Sequence, residues 1–256
     1  TFSLNTFFEG YLHPGDHVVV SGMEHNAVMR PLTRLQQRRG VRCTIAEAND
    51  RGEVPIEAFE KALERDTKAI VTLHASNVAG TILPAQAIGQ LCKERDIVFV
   101  LDTAQSAGSV EIDMEAMNID LLAFTGHKGL FGPQGTGGFY LRPGLEIRSL
   151  IEGGTGSSSD KTVQPSFLPD KFESGTPNTP GIAGLGEGVN FILKTGLAAI
   201  QRHERKLMDM MIEGLKQIPR VTIYGPADSK RQTSVLSINL KGLECGELSF
   251  LLDERF

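Results

Sequence analysis

The chain has 256 residues, 40% of them apolar and 22% charged, with a formal net charge of −5, a balance that supplies a core for one large domain and part of another and argues against disorder. The negative balance offers no general attraction to phosphate backbones or anionic lipid, which sets nucleic-acid and membrane-surface functions aside. No apolar run reaches the roughly 18 residues of a membrane span, and no signal peptide is recognisable at the start.

In chain order, TFSLNTFFEGYL reads as a helix that Thr1 is suited to start, and PGDHVVVSG as a turn and a short strand. The pattern then alternates: a helix near 26–39, the strand VRCTIAE, a helix near 55–65, the strand KAIVTL, a helix near 84–95 and the strand DIVFVL. A short helical piece, the strand DLLAF and the strand GTGGFYL follow. Such alternation predicts an α/β fold with a mostly parallel sheet and helices on both faces. Within the second helix Arg30, Arg34 and Arg38 repeat every four residues, a spacing expected of a solvated face. Residues 153–181 are rich in Gly, Ser, Thr and Pro and predict a long loop, of a length that is usually either functional or disordered. A helical stretch over 182–217, broken near Gly196, leads to the strands RVTIYG and TSVLSINL. The expected division is a large domain over 1–205 and a partial, smaller α+β domain over 206–256. The chain lacks an initiator methionine and stops at LLDERF within a helical pattern, so both ends are expected to continue.

Cys43, Cys92 and Cys245 form no CxxC pair and no Cys/His cluster, which signals neither a metal site nor a disulfide framework and fits a cytoplasmic, reducing setting. Cys43 and Cys92 are expected in or near the core, and Cys245 partly buried.

Ligands of open α/β sheets bind at the carboxyl ends of the parallel strands. The residues that follow four strands are MEHNAV, HASNVAGT, DTAQSAG and TGHKG, which bring together His25, Asn77, Asp102, Gln105, Thr125, His127 and Lys128. Read singly, a loop lysine is a solvated charge, Asn77 a turn former, Gln105 a helix-start residue and His25 a capping or core histidine. Together they suit an amine that forms a Schiff base with a carbonyl. Pyridoxal phosphate offers that carbonyl. Asp102 is suited to its pyridinium nitrogen, and Thr1 at a helix N-terminus to its phosphate.

The segments MEHNA, HASNVAGT, DTAQSAG, TGHKGLFGPQGTG and FESGTPNTPGI, in this order and covering nearly the whole chain, resemble the class V aminotransferase superfamily of fold-type I pyridoxal-phosphate enzymes. Within it they are most similar to cysteine desulfurases and selenocysteine lyases. The resemblance implies that Lys128 bears the cofactor and moves the proton at the substrate's α-carbon. It places His25 over the pyridine ring, Asp102 at the ring nitrogen, and Asn77 and Gln105 near the phenolic oxygen. It assigns Thr125, His127 and Thr1 to the phosphate, and Thr176 to the phosphate of a neighbouring subunit, which implies a homodimer with shared sites. The implied reaction converts L-cysteine to L-alanine and passes sulfur to an enzyme cysteine as a persulfide, with a sulfur-acceptor protein as a possible partner. The family's nucleophilic cysteine and substrate-binding arginine fall beyond this chain, and Cys245 does not match the former. A selenocysteine lyase, an aminotransferase or epimerase for another amino acid, and a cofactor-free scaffold are the alternatives.

Overall fold

A computed structural model of the chain describes residues 1–255. The helices are α1 (Phe2–Tyr11), α2 (Asn26–Arg39), α3 (Ile56–Ala62), α4 (Ala85–Arg95), α5 (Thr179–Thr195), α6 (Leu197–Lys216) and α7 (Cys245–Arg255). The strands are β1 (His17–Ser21), β2 (Arg42–Ala46), β3 (Thr67–Leu73), β4 (Val98–Asp102), β5 (Leu121–Thr125), β6 (Gly137–Leu141), β7 (Val221–Tyr224) and β8 (Ser237–Leu240). Six strands form one sheet in the order β2-β1-β3-β4-β5-β6, parallel except for β6, which runs antiparallel to β5.

Alternation along the strands explains the layering. Val18 and Val20 of β1, Ala69 and Val71 of β3, and Val100 of β4 point to one face, where they pack with Phe7 and Phe8 of α1 and Leu32 and Leu35 of α2. Val19, Ile70, Phe99 and Leu101 point to the other, against Phe59 of α3 and Ile88 and Leu91 of α4. Both faces are therefore buried, which is why these strands read as unbroken apolar runs.

The residues after β4 form turns instead of the expected short helix: the Asp113 carboxylate accepts from the N–H groups of Glu115 and Ala116, and Gly108 takes a φ of 88°. The break near Gly196 is present, at a φ of 83° between α5 and α6. α6 runs unbroken through 205 and 206, and β7 and β8 form a separate antiparallel pair. The loop before β8 is tied back to the large sheet's connections by Ile82 N–H to the Arg231 carbonyl and Thr233 N–H to the Gly80 carbonyl, each 2.9 Å. Arg30, Arg34 and Arg38 are exposed, as a solvated face requires, and Arg34 pairs with Glu9 of α1 at 2.5 Å. Cys43 is half-buried and Cys92 buried. Cys245 departs from expectation: it is exposed at the first residue of α7, a helix with no buried residue among those described.

Candidate active site

The strand order reverses between β1 and β3, because the chain leaves β1 for β2 on one side and returns to β3 on the other. At such a switch point the loops diverge and leave a crevice. A cavity of about 210 Å³ opens there, and eight of the nine residues singled out in the sequence line it: Thr1, His25, Asn77, Asp102, Gln105, Thr125, His127 and Lys128.

Each is placed by local backbone chemistry. His25 is the N-cap of α2, and its Nδ1 accepts from the Ala27 N–H at 3.0 Å. Asp102 ends β4, is only 8% exposed, and accepts through Oδ1 from the Ala104 N–H at 2.9 Å. Thr125 ends β5, with its Oγ1 2.9 Å from His127 Nδ1. Thr1 stands at the N-terminus of α1 and its side chain makes no capping bond, which leaves that helix end free toward the cavity. Asn77 follows Ser76, whose hydroxyl accepts from the N–H groups of Val78 and Ala79 and so shapes the turn in its place.

The glycines around Lys128 answer to close packing of two loops. A Cβ on Gly108 would lie 2.1 Å from the Gly129 carbonyl oxygen, and one on Gly129 would lie 2.5 Å from that of Ala107. Only glycines let the loop bearing Gln105 touch the loop bearing Lys128.

Two residues passed over in the sequence support the site from behind. His74, 3% exposed, sets its Nδ1 3.0 Å from Ser106 Oγ, and burial pushes its pKa down to about 4, so it is neutral. Glu24, next to His25, is half-buried with its carboxyl turned inward: Oε2 is closed off from solvent, and Oε1 accepts from the Ser21 hydroxyl and from the Leu73 N–H at 2.9 Å. Glu24 stands three residues past the end of β1, a position that by itself does not distinguish it from a solvated charge.

Thr176 is exposed in the loop between β6 and α5 and does not line the cavity. A larger groove of about 810 Å³ lies beside α1, where Arg39 pairs with Glu9 at 2.7 Å and Lys171 with Glu146 at 3.2 Å. Among the described residues no three His, Cys, Asp or Glu side chains are grouped to hold a metal ion, and no helix is long and apolar enough to cross a membrane.

Known proteins resemble the chain along nearly its whole length. The chain is 34% identical to a probable cysteine desulfurase of Pyrococcus abyssi over 98% of its own length and 64% of that protein. It is 32% identical to a cysteine desulfurase of Serratia proteamaculans, over 98% of this chain and 62% of the relative. The chain thus spans somewhat under two thirds of the length of these relatives. The apo structure of a cysteine desulfurase from Thermococcus onnurineus NA1 superposes with a TM-score of 0.90 at 33% identity, covering 98% of this chain and 64% of that one. Residues 1–255 match the family model described as aminotransferase class-V. With that match extending over nearly all of its residues, the chain belongs to the class V aminotransferase family.

Proposed function

We propose that this chain is the cofactor-binding part of a cysteine desulfurase that uses pyridoxal 5′-phosphate, converts L-cysteine to L-alanine and passes the sulfur to an enzyme cysteine as a persulfide. The observation that carries the reading is a single cavity lined by the Lys128 amine, the Asp102 carboxylate, the imidazoles of His25 and His127, and the hydroxyls of Thr1 and Thr125.

This donor set fits the cofactor. When bound, pyridoxal phosphate supplies an aldehyde for an amine and a ring that takes up the electron pair left at the substrate's α-carbon. Asp102, held through one oxygen by Ala104, would offer the other to the ring N–H and keep that proton in place. Thr125, His127 and Thr1, with the free N–H groups of α1, bind the phosphate. His25, its Nδ1 already accepting, carries its proton on Nε2 when neutral, and it would cover the ring face of a bound cofactor. Asn77 and Gln105 hydrogen-bond near the phenolic oxygen. Lys128 takes and returns the proton at the substrate's α-carbon.

Sulfur transfer needs a thiolate against the substrate sulfur: the S–S bond forms, the carbon–sulfur bond breaks, and the electron pair goes to the carbon, which is then protonated. Burial raises the Cys43 thiol to about 11 and Cys92 further, so neither supplies that thiolate at neutral pH. The nucleophile belongs to sequence outside this chain in our reading. Thr176, exposed and away from its own cavity, is assigned to the site of a second subunit in a homodimer. We place the enzyme in the cytoplasm, with a sulfur-acceptor protein as its partner.

The test is a protein carrying its flanking sequence, mixed with pyridoxal phosphate and then with L-cysteine or L-selenocysteine. Alanine and an enzyme persulfide formed from cysteine support the reading. Alanine formed from selenocysteine alone moves the assignment to a selenocysteine lyase, and no visible absorption band with the cofactor overturns it.

A further inference from the structure

Glu24 sits where the two central strands part company. The β1–β3 ladder stops at the pair Val20 and Val71, and Leu73 N–H, two residues further along β3, donates to Glu24 Oε1 at 2.9 Å. The same oxygen accepts from the hydroxyl of Ser21, the last residue of β1. A side chain thus continues the sheet's hydrogen bonding beyond the end of β1. Glu24 Oε2, equally buried, has no hydrogen-bond partner among the described residues, and the carboxyl forms no ion pair there. A buried carboxylate with one oxygen unsatisfied and no cation is costly, whereas a protonated acid turns that oxygen into a donor. The nearby Thr72 hydroxyl would favour the ionised form if it donated to the carboxyl, but it donates to the Leu73 carbonyl at 3.1 Å and so retains lone pairs to accept from the acid.

What Glu24 holds is informative. On one side its peptide neighbour is His25, which caps α2 and lines the cavity. On the other, Leu73 lines the cavity and stands opposite Asp102 in the β3–β4 register. The titratable groups facing Glu24 are Asp102 from β4 and Cys43 from β2, neither of them a cation.

We propose that Glu24 is a positioning residue whose protonated carboxyl, buried between the ends of β1 and β3, sets the spacing of His25 and Asp102 across the cavity. Burial first, and the Asp102 charge after it, push its pKa up to about 8, in keeping with that state near neutrality. Being uncharged, it leaves Asp102 as the carboxylate whose field reaches the ligand. The role of these two neighbours rests on the proposed function, but the protonation state of Glu24 does not.

Glu24→Gln and Glu24→Ala separate the roles. Gln keeps an accepting oxygen for Ser21 and Leu73 and places a donor where the acid proton would be. Infrared difference spectra at pH 7 of the wild-type protein against Glu24→Gln should show a protonated-carboxyl band lost in the variant, with no cofactor present. In titrations with pyridoxal 5′-phosphate, Glu24→Gln should bind within about threefold of wild type and Glu24→Ala at least about tenfold more weakly. An ionised carboxylate at pH 7, or a Gln variant as impaired as the Ala variant, would overturn the proposal. If the Ala variant does not fold, the infrared band and Gln rescue still decide. Failure of wild-type protein to bind the cofactor would overturn the proposed function instead, while the infrared arm continues to report on Glu24.

Discussion

The Nδ1 of His25 accepts a hydrogen bond from the Ala27 N–H at 3.0 Å, so the imidazole facing the cavity is also the cap that starts α2. Substitution separates the two roles. Asn caps helices well, so His25→Asn should keep its folding free energy within about 0.5 kcal/mol, whereas His25→Ala should lose about 1 kcal/mol. Both should lose the ring's contribution to turnover. Urea unfolding beside steady-state rates checks this, and an Ala variant as stable as wild type would show that the cap contributes nothing.

Lys128 projects from a loop held by contact between Gly108 and Gly129, not from the strand itself. Reduction with borohydride followed by peptide mass spectrometry should place the cofactor on Lys128, and Lys128→Ala should lower turnover by about 10²–10⁴-fold. Gly129→Ala should also impair the site, because its Cβ would sit 2.5 Å from the Ala107 carbonyl oxygen. Cofactor still linked to the protein in Lys128→Ala would refute the assignment.

Much of this arrangement is legible in the sequence because burial on both faces leaves unbroken apolar strands, and a strand's last residue marks the sheet edge where ligands bind. Asp102 and Thr125 are found that way. Glu24 was missed because an acid between a glycine turn and a helix start looks like an ordinary solvated charge. Its burial follows from the crossing of β1 and β3, a relation between segments about 50 residues apart that no local pattern records. Cys245 failed in the opposite sense: its local pattern matches a packed helix, but exposure depends on what lies over α7.

Asp102 is almost wholly enclosed, with one oxygen committed to Ala104. Asp102→Asn keeps the shape and that bond but cannot hold a proton on a ring nitrogen by charge. Turnover should fall by about 10²-fold or more, with cofactor still bound. Rapid-mixing kinetics with L-cysteine would measure it, and unchanged turnover would sink the role.

Thr176 lies in an exposed loop outside its own subunit's cavity. If it serves a second subunit's phosphate, Thr176→Val should weaken binding of pyridoxal phosphate without altering the thermal stability of the cofactor-free protein. Sedimentation should show a dimer. A monomer that binds the cofactor as tightly as the wild-type assembly would count against shared sites.

Two buried groups behind the cavity give opposite pH dependences. The folded-state pKa of His74 is lowered to about 4 from 6.5, so over that range the unfolded chain binds more protons and stability is lost as pH falls. For Glu24 the folded value is raised to about 8 from 4.5, so the folded chain binds more protons and stability, full below the lower value, is lost as pH rises through the upper one. Between about pH 4.5 and 6.5 the two slopes oppose each other, and from 6.5 to 8 Glu24 acts alone, at up to about 1.4 kcal/mol per pH unit. Differences from wild type isolate each group, because other titrations cancel. The stability of Glu24→Gln relative to wild type should therefore increase from pH 6.5 to 8 and then level off. The stability of His74→Asn relative to wild type should increase as pH falls below 6.5, since a neutral amide has no charge to acquire. Urea unfolding of the three proteins from pH 4 to 9 provides the comparison. A Glu24→Gln difference that stays flat across pH 6.5 to 8 would mean that the carboxyl is already ionised in the folded chain and that its second oxygen finds a donor elsewhere.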